Sequence, residues 1–362
     1  MNAVDIELRR LLQQLTLGSS VKPTNLLEER ERFLQARYPV RRKSPVFNYK
    51  NDSTVWDDVE PTLPLATMDA PEGVVAIYRE KERELGLTKK MFAAIGSDDF
   101  THFSVEIFGA PTAEDARAAR SVLKNLSHVP PPDRDCPAKE FARLLQQRIR
   151  EFGINMDVKL DPRLTTKVWV DSVSRGIHLN QHAFFASREI KRLLVHEVDV
   201  HAVRIHNGSC FPWGIFTMGT AGYREAEEGL AVYNEGHRGY LYPFQEKIYA
   251  GRCLAVYLSL LTGFEDVFES LLAYFDESTA YSIVERIKRG MVDTSRPGAL
   301  TKDFHYFTGP NRVRSYLADG GDLRLLMGAK IAFCHTPIIS KLVQDAQVDV
   351  SKWVFPIREN DD

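Results

Sequence analysis

The spacing of two histidines constrains this chain more than any other feature. His196 and His201 stand five residues apart in the string His196-Glu197-Val198-Asp199-Val200-His201, within a segment where Ile190, Leu193, Leu194, Val198 and Ile205 recur on one helical side. In an α-helix, residues four apart lie about 40° apart around the axis, whereas residues five apart diverge by about 140°. Two imidazoles so separated cannot hold one ion. If the pair acts together, the helix must be irregular between them. A π-bulge would do this, and such bulges are frequent at functional sites. The plain alternative is that two of the chain's ten histidines have fallen near one another by chance.

A second string, Glu227-Glu228-Gly229-Leu230-Ala231, favours the metal reading. Two histidines and a later glutamate can hold Zn²⁺ and leave a fourth position for water. Glu197, beside the first histidine, can then take a proton from that water. Glu228 is the preferred third ligand, with Glu227 and Glu225 as competitors. Glu225 and Glu228 are three apart and can face the same way. Gly229 and Ala231 are small enough to let this helix approach the histidine helix closely. Asp199 is either an acceptor for a histidine N–H or a solvated side chain. His206, at the helix end, is an alternative ligand.

The rest of the chain indicates an α+β fold that is mainly helical. Val4, Leu8, Leu11, Leu12 and Leu15 keep helical spacing; Asn25 with Glu28 reads as a helix start, and Thr112 starts a further helix. Pro130-Pro131-Pro132 cannot continue a helix. We therefore expect an N-terminal helical region over 1–129 and a catalytic unit over 137–356. Lys167–Asp171 and Gly176–Asn180 alternate like half-buried strands, so two strands precede the histidine helix. A formal net charge of −2 gives no electrostatic footprint for nucleic acid. No apolar run reaches the ~18 residues of a membrane span. Four scattered cysteines and an N-terminus without a signal-peptide pattern read as a cytoplasmic protein with reduced thiols. The oligomeric state is open, and the acidic last residues, 359–362, read as frayed.

Two longer motifs carry a family resemblance: HEVDVHAVRIHNG at 196–208 and EEGLAVYNE at 227–235. Weaker matches are PTNLLEERERFL at 23–34, PVFNY at 45–49 and GGDLRLLMGAKI at 320–331. The chain resembles the family that contains the flavohemoglobin expression-modulating QEGLA-motif proteins of bacteria and the microtubule-associated tyrosine carboxypeptidases of animals. The resemblance implies a gluzincin-like zinc metallopeptidase with an HExxxH motif, His196 and His201 as ligands and Glu197 as catalytic glutamate. The glutamate shared by QEGLA and EEGLA is the second one, which favours Glu228 over Glu227. The activity implied for the animal members is removal of a C-terminal tyrosine from tubulin; nothing in this chain identifies its own substrate beyond a peptide or protein C-terminus.

A peptidase of this kind needs two further groups. An oxyanion donor could be Tyr223, His305 or Tyr306. A cation for the substrate's terminal carboxylate could be Arg204 or Arg224, with Arg324 and Lys330 as more distant options. Gly176–Asn180 could be an edge strand that pairs with substrate backbone. The competing readings are a zinc endopeptidase or aminopeptidase, and a regulatory protein with a non-catalytic zinc.

Overall fold

The structure is a computed structural model that describes residues 2–36, 42–50, 56–126, 129–164 and 166–357; the expectation for the last residues lies outside these. The fold is α+β and mainly helical, as the sequence indicates. Before the proline stretch run the helices Ala3–Gln14, Leu26–Gln35, Glu72–Ala93, Asp99–Phe108 and Ala113–Asn125. Thr112 caps the last of these in a reciprocal box with Asp115. Asn25 does not cap its helix. Its side chain instead holds the Val46 carbonyl and the Asn48 amide, tying the helix to the following segment.

After the prolines, the helix Ala138–Glu151 buries Ala138, Phe141, Leu145 and Ile149 along one stripe. This stripe packs beneath a small sheet of β2 (Asp157–Asp161), β3 (Val168–Asp171) and β4 (Gly176–Asn180), while β1 (Cys136–Pro137) and β5 (Phe184–Phe185) pair separately. β4 is parallel to β2 on one side and antiparallel to β3 on the other. This corrects the expectation for Gly176–Asn180. A central strand has its main-chain groups taken on both sides, so it cannot pair with substrate; among the described residues the edges of this sheet are β2 and β3.

The prolines mark a stretch without regular structure, but they do not divide the core. One buried cluster joins Val4, Leu8, Ile77, Tyr78 and Phe100 to Phe211, Phe216, Ile331 and Trp353. Another joins Phe33, Phe47, Ala119 and Leu123 to Leu254, Phe264, Tyr281 and Ile287. Polar ties run the same way. Glu84 accepts from the Gly222 amide at 2.7 Å, and His335 spans Glu80 (2.8 Å) and Thr220 (2.9 Å). The loop leading into the helix Arg224–His237 is thus held by the helix Glu72–Ala93. No helix among the described residues is long and apolar enough to cross a membrane, and all four cysteines are free.

Candidate active site

The irregularity demanded by the histidine spacing is present. Between the α-helical turns Ser187–Leu193 and Val203–Gly208 the chain is π-helical over Leu194–Ala202. The wider i→i+5 turn brings residues five apart onto one face. The rings of His196 and His201 lie 4.8 Å apart at 90°. Two contacts anchor the widened turn. Asp199, fully buried, takes a bidentate pair from Arg148 at 2.9 and 2.8 Å, and Asn234 donates to the Val195 carbonyl at 3.0 Å. Asp199 is therefore neither solvated nor a histidine partner; it fastens the π segment to the helix Ala138–Glu151.

Both imidazoles turn Nε2 toward one carboxylate oxygen. Glu228 Oε2 lies 3.5 Å from His196 Nε2 and 3.8 Å from His201 Nε2. Ligand atoms about 2.1 Å from a tetrahedral zinc stand roughly 3.4 Å from one another. Glu228 Oε2 is buried and has no hydrogen-bond partner, an orphan that an ion at this point would satisfy. Ligand atoms of His196, Glu197 and His201 also fall within 4.8 Å of one another. The donor set and its spacing fit a zinc ion.

Each imidazole is backed by a carboxylate, and each carboxylate by cations. His196 Nδ1 donates to Glu235 at 2.6 Å, and Glu235 also receives Arg192 (2.7 Å) and the Tyr249 hydroxyl (3.0 Å). His201 Nδ1 lies 2.9 Å from Glu227, outside hydrogen-bond geometry; Glu227 is gripped by Arg204 and Lys330. This arrangement fixes ring orientation and leaves Nε2 free for a metal. Burial opposes charge on all three carboxylates, yet each stays ionised. Lys330 and Arg204 hold Glu227 well below the ordinary range, Arg192 and His196 lower Glu235, and the two imidazoles lower Glu228 to about 2. Burial likewise opposes the His196 proton, but Glu228 and Glu235 raise the group to about 10.

The other candidates separate. Glu197 lies half-buried on the same π turn. Tyr306 stacks on His196 (6.3 Å, 16°) and on Tyr249 (5.3 Å, 10°). Tyr223 is one step removed, its ring beside Lys81 and Lys330. Arg204 is not available to substrate. It is fully buried and donates to Glu227 and to the carbonyls of Leu326, Ala329 and Ile331, so it is a structural residue. Lys330 is spent on Glu227. His206 contacts the Lys352 carbonyl and Arg324 lies over Phe355, both away from the imidazoles. Arg224, one turn before Glu228, forms no ion pair among the described residues and lies over Phe108 and Tyr223. Gly229 meets Gly309 on the helix His305–Ala318, rather than the histidine helix.

Sequence reading missed Glu235, Arg192, Tyr249, Arg148 and Arg252, the last lying 5.1 Å over the Tyr306 ring. Glu235 left a usable signal: it follows Glu228 by seven residues, two turns along one helix face.

Two imidazoles and a carboxylate converging beside a second glutamate, on a mainly helical α+β fold, define a candidate metallohydrolase centre. The family model described as microtubule-associated tyrosine carboxypeptidase matches residues 31–361, and the chain belongs to that family. It is 24% identical over 308 residues to microtubule-associated tyrosine carboxypeptidase 1 of Mus musculus, covering 81% of this chain and 56% of the mouse protein. The Rattus norvegicus protein of the same name is also 24% identical, with 81% and 55% covered. The chain thus spans about half the length of the curated relatives it matches.

Proposed function

We propose that this chain is a gluzincin-like zinc carboxypeptidase that removes a C-terminal tyrosine, or another aromatic residue, from a peptide or protein. The observation that carries this is the approach of both Nε2 atoms to the orphaned Glu228 Oε2, with Glu197 on the same turn. Family membership supports the exopeptidase class.

His196, His201 and Glu228 would hold the ion. A zinc ion there supplies Lewis acidity, activating water and polarising the scissile carbonyl. Glu197 takes the proton of the attacking water and passes it to the leaving amine. Tyr306 is the preferred oxyanion donor: burial and the nearby Glu228 hold its hydroxyl well above the ordinary range, so it keeps a proton to donate. Arg252, over the Tyr306 ring, and Arg224, one turn before Glu228, are candidate partners for the terminal carboxylate. β3 replaces β4 as the strand for substrate backbone, since it is an edge strand among the described residues and packs against the π segment.

The test is mass spectrometry of a mixed peptide library incubated with zinc-loaded protein, run beside Glu197→Gln. The wild type should shorten peptides by one C-terminal residue and spare amidated ones. Glu197→Gln should bind zinc normally and lose about 10²–10⁴-fold in rate. Cleavage of amidated peptides would move the reading to an endopeptidase or aminopeptidase. No cleavage with zinc bound would favour the regulatory reading.

A further inference from the structure

The helix Arg224–His237 carries Glu227, Glu228 and Glu235, so the point at which it starts sets where all three carboxylates stand. Its own sequence does little to fix that start. The capping position is Tyr223, which is in helical conformation and makes no side-chain hydrogen bond to the first turn, where Ser, Thr, Asp or Asn would serve. The loop before it adds freedom: Gly219 and Gly222 lie at φ 109° and 66°, a region that favours glycine. A helix uncapped by side chains, behind a loop with two such glycines, needs its register held from outside.

The outside groups meet on the Tyr223 ring. The ring rests on Gly219, where a side-chain carbon would come within 2.7 Å of it. Lys330 stands 5.0 Å from the ring centre, Lys81 5.5 Å and Arg224 5.6 Å. Each lies within the ~6 Å over which a cation is drawn to an aromatic face, and burial of both lysines keeps water from weakening their contacts. The lysines tie the ring to two different partners. Lys81 pairs with Glu84, which accepts from the Gly222 amide. Lys330 grips Glu227, which faces His201. The Tyr223 carbonyl in turn accepts from the Glu227 amide at 2.9 Å. All of these contacts use the ring or the main chain of Tyr223, and none uses its hydroxyl.

We infer that Tyr223 is a positioning residue: its ring, seated on Gly219 and held by Lys81 and Lys330, takes the place of the missing side-chain cap and fixes Glu227 and Glu228 opposite the two imidazoles. This rests on the metal-centre reading above. The ring carries the role and the hydroxyl does not, so Tyr223 leaves the set of oxyanion donors. The N-terminal helix Glu72–Ala93, through Lys81, gains a share in metal affinity.

The experiment uses the full chain with zinc alone as the probe. Chelator competition reads zinc affinity, and hydrogen exchange on the metal-free protein reads the first two turns of the helix. Tyr223→Phe keeps an aromatic face for the lysines and should stay within about threefold of the wild type in both. Tyr223→Leu fills the space without such a face; zinc affinity should fall about 10–100-fold. Exchange over residues 224–230 should quicken about tenfold in the same variant. Lys81→Met leaves Lys330 on the ring and should weaken zinc binding about fivefold. Wild-type zinc affinity and exchange in Tyr223→Leu would overturn the inference. So would a Tyr223→Phe enzyme that binds zinc normally but loses about 10²-fold in kcat, because the hydroxyl would then be the acting group. Should Tyr223→Leu fail to fold, Lys81→Met decides, and unchanged zinc affinity there is the overturning result. If the wild type binds no zinc, the metal reading fails separately. Faster exchange in Tyr223→Leu but not in Tyr223→Phe would then still support the ring as the anchor of the helix, and equal exchange would reject it.

Discussion

At the scale of single residues, Glu235 and Glu227 have the same task on opposite sides of the site. Each faces an imidazole Nδ1, and each is held charged by buried cations. Glu235→Ala would strand Arg192, which is 5% exposed, without its carboxylate. We expect about 3–5 kcal/mol of lost stability, read by denaturant melts, and zinc affinity weakened about 10–100-fold, read by chelator competition. Glu235→Gln keeps an acceptor and should be milder. The His196 proton gives a pH test. Its folded value, about 10, lies above the ordinary ~6.5 of histidine, so its contribution to metal-free stability is full below about pH 6.5 and is lost as pH rises toward 10. Zinc must displace that proton, so affinity should rise about tenfold per pH unit between pH 7 and 8. An affinity that ignores pH would contradict this. The sequence made the ligand candidates legible because motif spacing names them directly. It did not reveal that Arg204 is structural, because an arginine three residues from a histidine looks the same whether its guanidinium faces a cavity or three carbonyls.

At the scale of elements, the π-helical segment depends on a pair with unequal members. The Asp199 side chain is fully buried, whereas that of Arg148 is 28% exposed. Arg148→Ala leaves a buried carboxylate alone and should cost about 3–5 kcal/mol. Asp199→Asn leaves a cation that water can reach and should cost about 1.5–3 kcal/mol. Equal losses in urea melts would reject this account. Hydrogen exchange should show Leu194–Ala202 opening earlier in both variants. The need for an irregular helix could be read from His196 and His201 alone. Strand order could not: alternation in Gly176–Asn180 reports two faces, but a strand's place in its sheet depends on long-range pairing with Asp157–Asp161 and Val168–Asp171. Likewise, Thr112 caps its helix as its sequence indicates, whereas Asn25 is drawn off by a distant loop.

At the scale of the whole molecule, the described helices before the prolines share buried clusters with the segments that follow them. Removing these helices would expose Phe211, Phe216, Ile331 and Trp353, now covered by Val4, Leu8, Ile77 and their neighbours. We expect a fragment beginning at residue 130 to lack a cooperative melt and to aggregate, as seen by circular dichroism and size-exclusion chromatography; a folded, zinc-binding fragment would show the opposite. The three prolines are legible as a break in the chain. That the core runs past them is not, because local composition is silent about which distant apolar faces meet. The crossing of Gly229 and Gly309 has a last consequence. A side-chain carbon on either glycine would come within 2.7 Å of the other helix's backbone. The separation of Glu228 from Tyr306 is therefore set by two main chains in contact and not by the shape of packed side chains. Neighbouring apolar positions can drift over evolutionary time, or be redrawn by an engineer, without detuning the chemistry, while these two glycines leave a lineage almost no room to change.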